Sequence, residues 1–339
     1  MKTLKLKSLV SRFRRVFILL AVMAVLTVMQ PGIFLTIDNF KSILLAISVY
    51  GVMVCGTIYP ILLGGIDLAV GATAAMSGAC AVITIVSHNY SVQGVVLGIL
   101  LGLAAGTLTG AVHGIIVSRF RVPPFLITLA SQNIVYGIAQ LLTGNQVISC
   151  LRPEAFTFIG GGRLFGIPTS VYILAIIALC SWFLLNKTKF GRSVYGVGGN
   201  KEAASLSGIP SGRITVIAYA ISGFTAALAG IVLASMNQQA IAKAAQGYEN
   251  DVLTAIVVGG TSLMGGEGSL QGALFGALLV GIINNGLRLM GIPSTYHSVV
   301  KGIVIIIAVA VDSYSRYKNS GLSRKVRWSI GKHAEKKGT

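Results

Sequence analysis

Long uncharged runs separated by short polar ones dominate this chain of 339 residues. About 20 apolar residues of α-helix cross a bilayer, so runs of this length read as membrane spans. Ten spans can be drawn, at residues 16–36, 42–60, 67–87, 93–118, 124–143, 169–186, 214–236, 251–264, 269–290 and 297–314. Ten crossings return the C-terminus to the side of the N-terminus. The pattern predicts an all-α integral membrane protein with one polytopic domain, 16–314, between a basic N-terminal segment, 1–15, and a basic tail, 315–339.

Charge gives the spans a direction. The net charge of +18 invites a nucleic-acid reading, but its placement argues against that partner. Of 27 Lys and Arg, 21 fall in four segments outside the apolar runs: before Val16, at Arg119–Arg121, over Lys187–Arg213 and after Tyr314. Clustering of this kind is the positive-inside signature, and it places both termini in the cytoplasm. The acidic residues Asp38, Glu154, Glu249 and Asp251 then fall outside. Cys55, Cys80 and Cys180 sit in apolar runs as small hydrophobes, and Cys150 stands without a partner in an outer loop, so no disulfide framework is expected.

The cytoplasmic loop 187–213 is basic and punctuated by glycine. Asn200 is a good N-cap, Lys201–Ser207 has no helix breaker, and Gly208 with Pro210 is a stop signal. A short helix here, with Ala203 and Ala204 beside Leu206, suits docking against another protein. A solvated turn between two spans is the alternative.

Glycine marks two further features. Gly98, Gly102, Gly106, Gly110 and Gly114 stack on one face of the fourth span, which lets a neighbouring backbone approach closely. Gly102, Gly106 and Pro123 match Gly272, Gly276 and Pro293 at a constant offset of 170 residues, a faint repeat whose copies are inverted in this topology. A second likeness, Gly64–Leu68 with Gly259–Leu263, has an offset of 195 and is not collinear with the first. The eighth and ninth spans are broken by Gly259-Gly260 and Gly265-Gly266, where exposed backbone must line a cavity or be buried in protein.

Candidate chemistry is sparse. No phosphate-binding Gly-x4-Gly-Lys-Ser/Thr loop occurs, so any ATPase must be a separate chain. His88, His113, His297 and His333 have no metal-binding spacing, and neither a metal nor a cofactor is expected. Asp67, at a span edge beside Gly64-Gly65, is a functional candidate because carboxylates are costly in a membrane. Lys301, Glu267 and Arg288 lie near span ends, where long side chains snorkel. Ser131, Gln132, Asn133, Gln140, Asn284 and Asn285 are neutral polar residues at membrane depth. Of these, Gln132, Asn133, Asn284 and Asn285 join Asp67 as candidates to line a path for a hydroxyl-rich solute, although hydrogen bonding between helices is the commoner use.

Four stretches resemble a known family: Gly64-Gly-Ile-Asp-Leu-Ala-Val-Gly71, Phe190-Gly-Arg-Ser-Val-Tyr-Gly-Val-Gly-Gly-Asn-Lys-Glu-Ala-Ala-Ser-Leu-Ser-Gly-Ile209, Val258-Gly-Gly-Thr-Ser-Leu-Met-Gly-Gly-Glu-Gly-Ser269 and Val300-Lys-Gly-Ile-Val-Ile-Ile-Ile-Ala-Val309. Together they look like the ribose-type carbohydrate permeases, membrane subunits of binding-protein-dependent ABC importers. The likeness runs from about Phe40 to Asp312. It implies a second copy of the chain or a homologous permease, two ATPase subunits and an extracytoplasmic solute-binding protein. It also implies that loop 187–213 carries a coupling helix seated on the ATPase, at Asn200, Glu202, Ala203, Ala204, Leu206 and Gly208. Arg152 and Arg163, in the outer loop 144–168, are candidates to dock the binding protein.

The expected function is therefore translocation of a sugar, ribose-like or another small polar solute, through a prokaryotic cell membrane, without covalent catalysis. The alternative is an ATP-independent secondary carrier for a neutral polar solute, against which the scarcity of embedded carboxylates counts. A passive channel would not need a 27-residue cytoplasmic loop.

Overall fold

Helix boundaries follow local chemistry. The computed structural model describes residues 19–120 and 122–293, with 296, 299, 302, 303 and 306 beyond them. Helix α1 (Leu19–Met29) stops short of Pro31 and Gly32. Thr36 caps α2 (Ile37–Leu62) by accepting a hydrogen bond from the Asn39 amide at 3.3 Å. Next come α3 (Val70–Ser87), α4 (Val92–Phe120) and α5 (Pro124–Thr143). Proline opens α5, where its missing amide costs nothing, and the left-handed Gly144 closes it.

An irregular connection follows, with strand β1 (Ile148–Ser149), the short helix α6 (Glu154–Gly161) and a hairpin of β2 (Arg163–Leu164) and β3 (Ile167–Pro168). The chain continues through α7 (Thr169–Lys187), α8 (Lys189–Gly199), α9 (Lys201–Leu206) and α10 (Ser211–Asn237). Strand β4 (Gln239–Ala240) pairs antiparallel with β1, Ile148 opposite Ala240, before α11 (Tyr248–Val258) and α12 (Leu270–Leu289). Among the described residues seven helices are long and apolar enough to cross a membrane: α2, α3, α4, α5, α7, α10 and α12. This is a multi-pass membrane protein.

Helix α10 is the hub, packing on α2, α3 and α4 and touching α6, α8 and α9. Buried hydroxyls add hydrogen bonds where the hydrophobic effect gives helices no reason to associate. The Tyr59 hydroxyl on α2 donates to the Ser181 carbonyl on α7 at 2.9 Å, and the Ser181 hydroxyl donates back to the Cys55 carbonyl at 2.7 Å. The glycine stripe of α4 packs as its spacing predicts. A Cβ at Gly102 would stand 2.7 Å from the Ser77 carbonyl of α3, and one at Gly110 would collide with the Tyr219 carbonyl of α10. Helices α4, α5 and α7 turn most of their surface outward, as with Leu100, Leu108 and Phe183.

Several expectations need correction. The eighth span, 251–264, is not one membrane-length helix: α11 has 11 residues, about 16 Å at 1.5 Å per residue. A hydrocarbon core of about 30 Å needs nearly twice that. Gly247, at φ +90°, starts α11 late, and Gly259-Gly260 stop it, so hydropathy averaged a helix with a glycine turn. Asp67 is not at a span edge, because α3 starts at Val70 and residues 63–69 form a non-helical segment buried against α4, α5 and α10. Glu249 and Asp251 are buried rather than outside. Loop 187–213 holds two helices: Gly191 and Gly198 do not break α8 but let it press on the Leu185 and Leu62 carbonyls. Most of the tenth span, Arg121 and both basic termini lie outside the described residues.

The two stretches related by the offset of 195 pack together. The loops after Leu62 and after Val258 lie against each other, the Gly266 amide donating to the Leu62 carbonyl at 2.8 Å and Gly64 facing the Met264 carbonyl.

Two glycine substitutions separate packing from helix propensity. At Gly223 of α10 an added Cβ meets the Gly106 carbonyl, whereas at Gly137 of α5 it meets nothing within 4 Å. Gly223→Ala is expected to destabilise by about 1–3 kcal/mol through overpacking, and Gly137→Ala to be neutral or stabilising by up to about 1 kcal/mol. Thermal unfolding of the purified protein in detergent reads both. Equal effects would refute the packing argument.

Candidate functional site

Three regions gather the residues of interest. The first is the α8–α9 segment. Thr188 caps α8 by accepting from the Gly191 amide at 3.2 Å, and Val194 and Val197 bury its inner face. The Tyr195 hydroxyl donates to the Gly268 carbonyl at 3.0 Å, so α8 braces the glycine loop after α11. The Asn200 side chain caps α9 by accepting from the Ala203 amide at 2.9 Å. Gly208, at φ +81°, ends it with its amide on the Ser205 carbonyl at 3.0 Å. The cap and the stop are those the sequence predicts.

The faces of α9 differ from expectation at one residue. Glu202, Ala203 and Leu206 are exposed, Leu206 by 91%, but Ala204 is buried against this chain's own body. Only the first three are free to meet a partner. A fully exposed leucine on a polar helix of six residues is otherwise unexplained.

The second region is a buried polar chain around Asp67. Its carboxylate accepts from the Ser222 hydroxyl of α10 at 2.8 Å and the Ala69 amide at 3.1 Å. The His113 Nδ1 of α4 stands 4.0 Å away, and His113 Nε2 pairs with the Ser131 hydroxyl of α5 at 2.5 Å. Asp67 thus ties its non-helical segment to α10 directly and, through His113, to α4 and α5.

The third region is the segment between β4 and α11. Gln132 of α5 donates to buried Glu249 at 3.0 Å, and the Gly247 amide donates to the same carboxylate at 3.1 Å. Asn284 of α12 donates to Asp251 at 3.1 Å, while Asn285 donates to Asn39 at 2.9 Å. Of the five path candidates, Asp67, Gln132, Asn284 and Asn285 hold interior partners. Asn133, the tenth residue of α5, is exposed and bonds only the Leu129 carbonyl of its own helix, at 3.2 Å. An amide exposed at mid-helix is costly against lipid, so this face of α5 calls for water or protein.

Lys243, Gln246 and Asn250 expose their side chains on the same segment. Sequence reasoning passed over them because 237–250 read as an outer loop. Its run of Gln, Lys, Gln, Glu and Asn between two apolar stretches was the available signal. At its outer end a cavity of about 360 Å³ is lined by Gln140, Asn145, Gln146 and Lys243.

Arg152 and Arg163 flank α6 on the exposed connection, and neither forms an ion pair among the described residues. The hairpin tip beside Arg163 carries Phe165, 99% exposed. Cys150, expected to be free in this connection, is buried, its thiol donating to the Arg152 carbonyl at 3.2 Å.

The architecture is that of a helical membrane domain with non-helical segments packed inside it and a short capped helix at one end. Residues 39–309 match the family described as branched-chain amino acid transport system / permease component. The ribose import permease protein RbsC of Escherichia coli (strain K12) is 38% identical over 298 residues, 87% of this chain and 91% of that protein. RbsC of Bacillus subtilis (strain 168) is 40% identical over 301 residues, covering 88% and 91%. The L-arabinose ABC transporter permease protein AraH of Azospirillum brasilense is 34% identical over 308 residues, covering 91% and 89%. No solved structure gives a significant match. The chain belongs to the ribose-type family of sugar ABC importer permeases.

Burial raises the pKa of the Cys150 thiol to about 11. Maleimides react with the thiolate, so Cys150 is expected to stay unlabelled at pH 7.5 in native protein and to gain reactivity about tenfold per pH unit up to pH 11. Mass spectrometry after timed labelling reads this. Rapid labelling at pH 7.5 would show that the connection opens.

Proposed function

We propose that this chain is the permease subunit of an ABC importer that carries a ribose-like monosaccharide or a related small polar solute across a prokaryotic inner membrane. It performs no covalent chemistry. Two ATPase subunits drive the cycle from the cytoplasm, a solute-binding protein delivers the sugar from outside, and a second copy or a homologous permease completes the path. The ten crossings, the cytoplasmic termini, the inverted repeat at offset 170 and the domain limits 1–15, 16–314 and 315–339 belong to this proposal. Support for the orientation comes from Arg119 and the basic segment 187–213, whose neighbours meet at one end of the molecule.

The observation that carries the reading is α9: a capped, rigid, six-residue helix presenting Glu202, Ala203 and Leu206 outward and anchored through Ala204. In this proposal the ATPase receives Leu206 in a groove, and α8 transmits the movement to the glycine loops it braces. The secondary-carrier alternative is not favoured. The buried carboxylates Asp67, Glu249 and Asp251 each accept side-chain hydrogen bonds that fix local structure.

The path lies on the face formed by Asn133, Lys243, Gln246 and Asn250, the polar groups left exposed at membrane depth. Arg152 and Arg163 meet acidic groups of the binding protein, setting register and association rate more than affinity.

Three outcomes follow. Ala203→Arg and Leu206→Glu are expected to keep normal membrane levels, lose the ATPase on purification and abolish uptake, whereas Ala204→Arg lowers the amount of folded permease. Stoichiometric, solute-stimulated ATPase retained by Leu206→Glu would place the contact elsewhere. For the path, Gln246→Leu and Asn250→Leu are expected to cut uptake about five- to tenfold with the ATPase still bound, each removing a hydrogen bond worth about 1–1.5 kcal/mol. Unchanged uptake would remove that face from the path. In the outer connection, an Arg152→Ala/Arg163→Ala double variant should slow uptake and flatten its salt dependence. Wild-type rate and salt response would refute the docking role.

A further inference from the structure

A second cavity, of about 550 Å³, opens at the α9 end of the molecule, away from the exposed face of α5 and the segment before α11. Its walls come from six parts of the chain: the Gly64-Gly65 turn, the end of α4, the connection before α5 with its first residue, helix α8, helix α9 and the first turns of α10. Lys201 and Glu202 stand at its rim, Ser211 and Thr215 line one wall, and Pro124 gives an apolar surface opposite. At its inner end the Tyr219 ring is buried, and its hydroxyl has no hydrogen-bond partner among the described residues. That hydroxyl lies against Gly65, where a side chain would collide with it. An orphaned buried hydroxyl is costly, so a group that reached it would gain by bonding it.

The volume falls within the 300–1,000 Å³ typical of small-molecule sites, and the lining mixes an apolar wall with a few convergent polar groups. Among the described residues one cation, one carboxylate and four hydroxyls, with no excess of either charge, match a neutral polyhydroxylated molecule rather than an anion. We propose that this cavity binds the imported solute from the cytoplasmic side and slows the transporter when product accumulates. This rests on the importer reading above.

The placement supplies the mechanism. A solute held there bridges α9 to α10 and to the Gly64-Gly65 turn. Those elements form different walls of one cavity, so any shift of α9 against the membrane helices changes its shape. A ligand that fits one arrangement and not the other retards the cycle by its difference in affinity for the two.

The test uses the permease–ATPase complex in lipid nanodiscs, without binding protein, and D-ribose as the probe. Millimolar D-ribose is expected to lower ATP turnover at least about threefold, since a ligand at ten times its Kd leaves roughly a tenth of the complexes free. Val122→Trp, which fills the cavity beside Pro124, and the milder Ser211→Ala should keep basal turnover and lose the response. Saturation-transfer NMR on the permease alone reads the same site independently: D-ribose signals should appear with wild type and vanish with Val122→Trp. Turnover insensitive to D-ribose, or equal inhibition of wild type and Val122→Trp, would overturn the proposal. Loss of the ATPase from Val122→Trp would also overturn it, by showing that the cavity seats protein. A wild-type chain that brings no ATPase with it defeats the importer reading instead, and the NMR comparison still decides the cavity.

Discussion

One backbone junction holds the working end of this permease together. The Gly266 amide bonds the Leu62 carbonyl, and Gly198 of α8 presses on the same carbonyl so closely that no side chain fits. Chain that leaves the helical path inside a membrane must find partners in protein, because lipid offers none. Here two such stretches, the turn after α2 and the loop after α11, satisfy each other. Helix α8 closes over them and adds the Tyr195 hydroxyl to the Gly268 carbonyl. A side chain at any of these glycines would part the three elements, and α9 would lose its fixed position on the membrane domain.

That junction explains why the short helix can matter. Six residues carry little stability of their own, and most helical stability in proteins comes from packing. Helix α9 gains its rigidity from the Asn200 cap, from the left-handed turn at Gly208 and from Ala204, which is buried where a partner-facing residue was expected. In the proposed coupling it is the exposed Leu206 that takes the force, with the residues behind it tied down.

Much of this was legible in the sequence, and the misses share a cause. The long helices α2, α4, α5, α7 and α10 fall close to the drawn spans, since each is a continuous apolar run with a proper start or stop. The α9 cap and stop were readable because Asn200 and Gly208 act locally. The eighth span was drawn as one long helix because hydropathy averages over a window and cannot tell a membrane-length helix from a half-length one with a glycine turn attached. Asp67, Glu249 and Asp251 were misplaced for a related reason: their partners Ser222, Gln132 and Asn284 are 155, 117 and 33 residues away. The likeness between Gly64–Leu68 and Gly259–Leu263 was visible, but only the packed loops show that the two turns meet.

The central claim is that α8 moves as one body with the glycine loops and carries the ATPase stroke to them. Spin labels placed at Arg192 of α8 and at Met264, both exposed, measure this directly in the assembled transporter. Pulsed electron-electron distances should differ by less than about 2 Å between nucleotide-free and ATP-bound states, the scale of a packing adjustment. Labels at Arg192 in two copies of the chain should meanwhile move apart or together by clearly more. A change of about 5 Å or more between Arg192 and Met264, comparable to one helical turn, would show that α8 slides over the loops and contradict the account.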